Sequence, residues 1–130
     1  MELNQVCVAV RNLDEGVAFY RKIGLTLIVL DQESLYARFE HSSGGATFSI
    51  WQDRTLPPGR ATLYFEVADV DQRHADLTAA GVDFDTPPTD QDWLWRESHF
   101  SDPSGNRLCL YHAGQNRRFP PWRRKDAARP

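Results

Sequence analysis

The sequence predicts an α+β fold built from two tandem βαβββ modules, and three observations predict it. One local pattern occurs twice at an offset of 57 residues: Val8-Ala9-Val10-Arg11-Asn12-Leu13-Asp14 with Gly24, then Phe65-Glu66-Val67-Ala68-Asp69-Val70-Asp71 with Gly81. Each copy passes from a two-residue period to a helix-start residue and a closing glycine, so one supersecondary unit has been written twice. A Pro-rich joint, Leu56-Pro57-Pro58-Gly59-Arg60, breaks regular structure between the copies.

In the first copy, Val6, Val8 and Val10 alternate with Gln5, Cys7 and Ala9, which predicts a strand over residues 4–10. Asn12 followed three residues later by Glu15 is a capping-box variant. Val17, Phe19, Tyr20 and Ile23 supply the apolar stripe of a helix over 13–23 that stops at Gly24. Strands are expected at 25–30, 36–40 and 46–51, joined by Asp31-Gln32-Glu33-Ser34 and His41-Ser42-Ser43-Gly44-Gly45. In the second copy a strand is expected at 62–67. Asp69 with Gln72 caps a helix carrying Val70, His74, Leu77 and Ala80 up to Gly81, and strands follow at 82–84, 95–100 and 107–111. The turn Asp102-Pro103-Ser104-Gly105-Asn106 precedes the last of them.

Composition narrows the function. With 41% hydrophobic and 12% aromatic residues the chain can build a core without staples. No apolar run approaches the roughly 18–20 residues of a spanning helix, and Met1-Glu2-Leu3-Asn4 lacks the pattern of an export signal, so no membrane partner and a cytoplasmic location are expected. Cys7 and Cys109 are accordingly expected to be reduced. The net charge of -3 is uneven: residues 113–130 carry +5 and residues 1–112 carry -8. An acidic body argues against a nucleic-acid partner. The tail residues Arg117, Arg118, Arg123, Arg124, Lys125 and Arg129 are read as a basic end beyond Phe119-Pro120-Pro121-Trp122, whose aromatics are expected to dock on the body or on a second subunit.

The paired halves, with Asn12-Leu13-Asp14 and Phe19-Tyr20-Arg21 in the first and Phe65-Glu66-Val67, Ala79-Ala80-Gly81-Val82 and Asp102-Pro103-Ser104-Gly105-Asn106 in the second, resemble the vicinal oxygen chelate superfamily. That group includes glyoxalase I, extradiol dioxygenases, fosfomycin-resistance enzymes and bleomycin-resistance proteins. The resemblance covers residues 1 to about 112. It implies a single domain over 1–112 (module one 1–55, module two 60–112) with a tail at 113–130, a mixed sheet curled around a shared cavity, and pairing as a homodimer.

The resemblance also places metal ligands on the first and last strand of each module, which here are Gln5, Ser49, Thr62 and Cys109. An amide, two hydroxyls and a thiol are poor substitutes for imidazole and carboxylate, so neither metal nor other cofactor is expected. Among the histidines, His41 and His74 read as solvated. His99 and His112 can approach across the last hairpin, but two ligands lack a third.

Strand alternation turns Val6, Val8, Phe48, Ile50, Leu63, Phe65, Leu108 and Leu110 toward the helices. The opposite face then shows Gln5, Cys7, Thr47, Ser49, Trp51, Thr62, Tyr64, Glu66, Cys109 and Tyr111, an aromatic lining with scattered polar groups that suits a small-molecule ligand. Trp93 and Trp95, two residues apart, are expected on one face at the mouth of the site. Arg96 is expected to meet an anionic ligand group or to pair with Glu40, Glu66 or Glu97.

Three functions fit these residues. The favoured one is a metal-independent binding protein for an aromatic or amphipathic small molecule, with antibiotic sequestration as one form. The second is a glyoxalase-like lyase or isomerase, or a dioxygenase, with metal ligands from other positions or with Glu66 and Tyr64 as an acid–base pair. The third is a partner-binding dimer with a filled interior.

Overall fold

The computed structural model describes residues 1–127, so Arg129 of the basic tail lies outside the described residues. The order of elements is β1 (Gln5–Val10), α1 (Leu13–Lys22), β2 (Thr26–Asp31), β3 (Tyr36–Glu40), β4 (Thr47–Gln52), β5 (Thr62–Glu66), α2 (Val70–Ala79), β6 (Thr89–Asp90), β7 (Arg96–Ser101) and β8 (Arg107–His112). This is βαβββ written twice. The strands form two four-stranded sheets, ordered β1-β4-β3-β2 and β5-β8-β7-β6. The chain divides into two compact units: residues 1–63 with 101–108, and residues 64–100 with 109 onward.

Both helices start and stop as their capping residues dictate. The Asn12 side chain accepts from the Glu15 amide at 2.9 Å and the Asp69 side chain from the Gln72 amide at 3.0 Å. The Gln72 side chain reaches forward to Asp76 at 2.9 Å instead of back to the cap, so the second box is half used. At the other ends Gly24 and Gly81 take φ of +111° and +94°. The amides that follow them, Leu25 and Val82, close onto the Tyr20 and Leu77 carbonyls at 3.0 and 2.9 Å in the six-to-one bond of a Schellman motif.

In the first unit β1 runs parallel to β4 and the other pairs are antiparallel. The sheet buries Phe39, Phe48, Ala37 and Ile50 under Leu13 and Tyr20 of α1, with the Tyr20 ring 4.7 Å from Phe48 and 5.9 Å from Phe39. Gly16 lets the helix approach closely: a Cβ there would stand 2.9 Å from Ile50 Cδ1. α1 packs chiefly on β4, β3 and β2. Val6, in register with Phe48, shares the face that carries the helix but is left uncovered. It lies near the start of an edge strand beyond the helix's cover and stays 36% exposed.

The segment 101–108 belongs to this first unit although it comes from the second repeat. Its turn is held by Asp102, whose Oδ1 accepts from the Ser104 and Asn106 amides, both at 2.9 Å, and whose Oδ2 accepts from Asn106 Nδ2 at 2.8 Å and from the Tyr20 hydroxyl at 2.7 Å. Asn106 Nδ2 also donates to the Ala9 carbonyl at 2.8 Å. The aspartate and asparagine that read as turn residues thus clasp the turn to α1 and β1. Asp102 is only 4% exposed, so its charge is held by hydrogen-bond donors where water cannot reach.

In the second unit Val70, Leu77, Val82, Phe100 and Leu110 form the core, and Phe84 stacks on Phe100 at 4.7 Å. The strand expected at 82–84 is reduced to a single bridge between Phe84 and Phe100. Pro87 and Pro88 follow closely and remove backbone donors, and pairing resumes only at β6. Among the described residues, no helix is long and apolar enough to cross a membrane.

Candidate functional site

The second unit gathers ionisable and aromatic side chains on one sheet face. Trp95, Glu97 and His99 alternate along the chain into β7, Cys109 and Tyr111 alternate on β8, and Tyr64 comes from β5. The three rings touch: Trp95 and Tyr111 lie 5.0 Å apart at 35°, while Tyr64 stands edge-on to both at 5.9 and 5.3 Å. Tyr111 is buried and Tyr64 is 48% exposed, so the cluster has an inner wall and an open lip. Burial and the nearby Cys109 and Glu97 raise the Tyr64 phenol, which stays a neutral donor at ordinary pH.

Beside the rings lies Glu97, a carboxylate only 3% exposed. It accepts from Trp93 Nε1 at 2.7 Å on Oε2 and from His99 Nε2 at 2.9 Å on Oε1. His99 Nε2 also lies 3.8 Å from Cys109 Sγ. Because the same ring nitrogen faces both neighbours, this is not a relay in which a base bridges a nucleophile and an orienting acid. Burial, then the Glu97 charge, push the Cys109 thiol up to about 12, so it is no thiolate at neutral pH. Both cysteines are free.

A strained turn sets the tryptophans. Leu94 takes φ of +68°, a left-handed conformation costly for leucine, within a tight loop where the Leu94 amide donates to the Gln91 carbonyl at 3.0 Å and the Gln91 amide to the Trp95 carbonyl at 2.8 Å. This turn, rather than strand pairing, sets Trp93, while Trp95 begins the alternation that continues through Glu97 and His99. Trp93 is turned to Glu97, and Trp95 packs on Tyr111 and donates to the Asn116 carbonyl at 3.2 Å. Trp95 thereby contacts the tail, while Trp122, expected to dock, stands 57% exposed.

Arg96 points to the other side of β7. It grips Asp71 with two nitrogens at 2.8 and 2.9 Å and Asp90 with a third at 2.9 Å, which corrects the expected pairing with Glu40, Glu66 or Glu97. It ties the first turn of α2 to the β6–β7 hairpin. Glu66 is also committed to structure: its Oε2 accepts the Ala113 and Gly114 amides at 2.6 and 2.9 Å and anchors the start of the tail. His112 turns to the Val67 carbonyl at 2.8 Å, and His99 to Glu97. His74, expected in solvent, is half-buried with its ring 4.3 Å from Phe84.

In the first unit, Gln5, Cys7, Ser49 and Trp51 share the face expected of them, because Gln5 pairs with Thr47, Cys7 with Ser49 and Ala9 with Trp51 in register. Gln5 Nε2 and the Tyr36 hydroxyl each meet Ser49 Oγ at 2.6 Å, the Thr47 hydroxyl donates to Gln5 Oε1, and Arg38 Nε donates to the Tyr36 oxygen at 2.9 Å. This is a closed network of neutral groups with one cation. Trp51 lies at its end, 38% exposed. Thr62 is half-buried at the start of β5.

A family model, the Glyoxalase/Bleomycin resistance protein/Dioxygenase superfamily, matches residues 2–110. The chain belongs to this superfamily.

An uncharacterized protein of Mycolicibacterium smegmatis is 31% identical over 112 residues, covering 85% of this chain and 92% of that protein. The crystal structure of a glyoxalase/bleomycin resistance protein/dioxygenase from Nocardioides is 25% identical, with a TM-score of 0.70 over 86% of this chain and 83% of that one. A bleomycin-binding protein complexed with bleomycin shares 16% identity at a TM-score of 0.70, covering 86% of this chain and 98% of that one, which shows a common fold.

At the positions where the resemblance places the superfamily's metal ligands, the donors do not fit. Gln5 and Ser49 bond to each other, Thr62 offers a hydroxyl, and Cys109 is the one side chain of the four that can bind as an anion. Three participants, Glu97, Tyr36 and Arg38, are not among the residues that the sequence pattern singled out for the site. Glu97 could have been found from the alternation Trp95, Glu97, His99, and Tyr36 with Arg38 from the same alternation on β3.

Proposed function

We propose that the protein binds a small aromatic or amphipathic molecule against the Tyr64–Trp95–Tyr111 face, with no metal at the superfamily's usual ligand positions. The observation that carries this reading is the half-exposed aromatic cluster beside a buried carboxylate. The rings supply a stacking surface, Glu97 with its Trp93 and His99 donors supplies oriented polarity, and Tyr64 leaves the lip 48% exposed. Gln5, Cys7, Ser49, Trp51 and Thr62 are the corresponding contacts proposed for the first unit. Sequestration of an antibiotic is the specific form that the bleomycin complex of a protein with this fold brings forward.

The test is a tryptophan-fluorescence and calorimetric titration with bleomycin first and a panel of planar aromatic compounds after it. Trp95→Ala is expected to weaken binding by about 1–3 kcal/mol, of the order of one aromatic hot spot, with Trp51→Ala as the matching variant in the first unit. A probe that binds Trp95→Ala as tightly as the parent removes the assignment of this face. The proposal includes a homodimer, supported by the exposed apolar edge of Ile28, Val29 and Leu30 and by Trp122. Light scattering at 14.9 kDa, the mass of one chain, would count against it.

One observation favours an enzymatic second reading. His99 is partly exposed and bonded to buried Glu97, a carboxylate–imidazole pair able to move a proton at the aromatic face, and it is better placed for that work than Glu66.

A further inference from the structure

We infer that Glu97, His99 and Cys109 form a binding site for a borderline divalent cation of the zinc type, offset from the superfamily's ligand positions by drawing two of its three donors from β7. One carboxylate oxygen, one imidazole nitrogen and one sulfur all lie within 4.8 Å of one another. The measured separations are 2.9 Å from Glu97 Oε1 to His99 Nε2 and 3.8 Å from His99 Nε2 to Cys109 Sγ. Around a tetrahedral zinc with bonds of about 2.0–2.1 Å to oxygen and nitrogen and about 2.3 Å to sulfur, neighbouring donors stand about 3.3 Å apart for oxygen and nitrogen and about 3.6 Å apart for nitrogen and sulfur. Shifts of a few tenths of an ångström suit these two pairs, and closing the oxygen-to-sulfur separation, at most 4.8 Å, by up to about 1.2 Å brings the three onto a metal.

The donor chemistry selects the ion. A thiolate, an imidazole and a carboxylate suit zinc or cobalt(II) and are the wrong set for magnesium or calcium, which want oxygen throughout. Glutamate and thiolate together carry two negative charges, which a divalent ion neutralises in a place where Glu97 is only 3% exposed. As the ion enters, the Cys109 thiol proton leaves for solvent, and the imidazole binds through Nε2 with its single hydrogen on Nδ1, exchanged there through solvent. Trp93 Nε1, which donates to the second carboxylate oxygen, already fixes how Glu97 presents its first. Three protein donors leave a fourth position, and the donors share their sheet face with Trp95 and Tyr111. A ligand stacked on those rings can offer an oxygen or nitrogen to it. The site does not depend on the binding function proposed above, and the two fail separately because one is read with a metal alone and the other with an organic probe.

The experiment titrates full-length, chelator-treated protein with cobalt(II) alone, then displaces it with zinc followed by calorimetry. One equivalent is expected to produce a sulfur-to-cobalt charge-transfer band together with the visible bands of a four-coordinate ion. Both are expected to disappear in Cys109→Ser, and zinc affinity to fall by about a hundredfold or more in His99→Ala, a half-exposed position whose substitution leaves the thermal midpoint close to that of the parent. His112→Ala is expected to leave the spectrum unchanged. Absence of the charge-transfer band in the parent protein overturns the site, and so does stoichiometric zinc binding that survives both Cys109→Ser and His99→Ala.

Discussion

Replacing Tyr20 by phenylalanine removes one hydroxyl from a packed interior and nothing else. Tyr20 is fully buried, its ring rests on Phe39 and Phe48, and phenylalanine keeps those contacts, so the loss is confined to the 2.7 Å bond to Asp102. That bond is one of four reaching the Asp102 carboxylate, and the other three come from the turn itself. A hydrogen bond to a charged group contributes about 1.5–3 kcal/mol, and Asp102 is too deeply buried for water to substitute, so a loss of about 2 kcal/mol is expected. For a chain of this size that lowers Tm by roughly 6–10 °C and moves the urea midpoint by about 1 M, with an unchanged m value.

Alkali supplies an independent check. Burial first, then the charge of Asp102 and the hydrogen bond to it, hold the Tyr20 phenol well above its ordinary range. The folded chain therefore keeps a proton that the unfolded chain releases above about pH 10, so the parent loses stability as pH rises through that region. The variant lacks this component, and the gap between the two proteins narrows above pH 10. A Tyr20→Phe protein within about 0.5 kcal/mol of the parent at neutral pH, or a gap that stays constant into alkali, refutes the clasp as described.

Two further substitutions probe backbone geometry. Gly105 takes φ of +88°, and a Cβ there would stand 2.8 Å from Pro58 Cγ, part of a stiff ring, so Gly105→Ala is expected to destabilise by about 1–3 kcal/mol in a thermal melt. Leu94 is left-handed and 49% exposed, so Leu94→Gly relieves strain at little loss of packing and is expected to be neutral or stabilising by up to about 1 kcal/mol, whereas a clear drop in Tm would show that its side chain is needed.

Local signals were legible in the sequence, and their reach across the chain was not. Asn12, Asp69, Gly24 and Gly81 set the helix ends through bonds spanning five residues or fewer, so the repeat and its helices could be read directly. The turn at 102–106 was readable as a turn, but its bond to Tyr20 joins residues 82 apart, which no local pattern announces. Arg96 illustrates the same limit: three nearby glutamates were candidates, and folding brought Asp71 and Asp90 to it instead. β6 is two residues long, too short to show a period. At the candidate site the aromatic members could be picked from alternation on β5 and β8. A lone glutamate in a strand carries no local mark of a buried role, and only the alternation of Trp95, Glu97 and His99 into β7 puts it on the aromatic face.

The clasp between Asp102 and Tyr20 makes the two repeats unequal as pieces of a molecule. The first unit needs residues 101–108, which the chain delivers only after passing through most of the second repeat. A chain cut between Pro57 and Pro58 leaves a front piece whose Tyr20 hydroxyl has lost its acceptor and whose Ala9 carbonyl has lost Asn106. Covalent continuity turns what would be a meeting of two molecules into the closing of a loop, whose entropic cost grows only slowly with length. The duplicated sequence therefore does not mark a seam along which the protein can be divided: a fragment design that respects the repeat boundary severs the clasp, and one that keeps 101–108 joined to the front piece retains it.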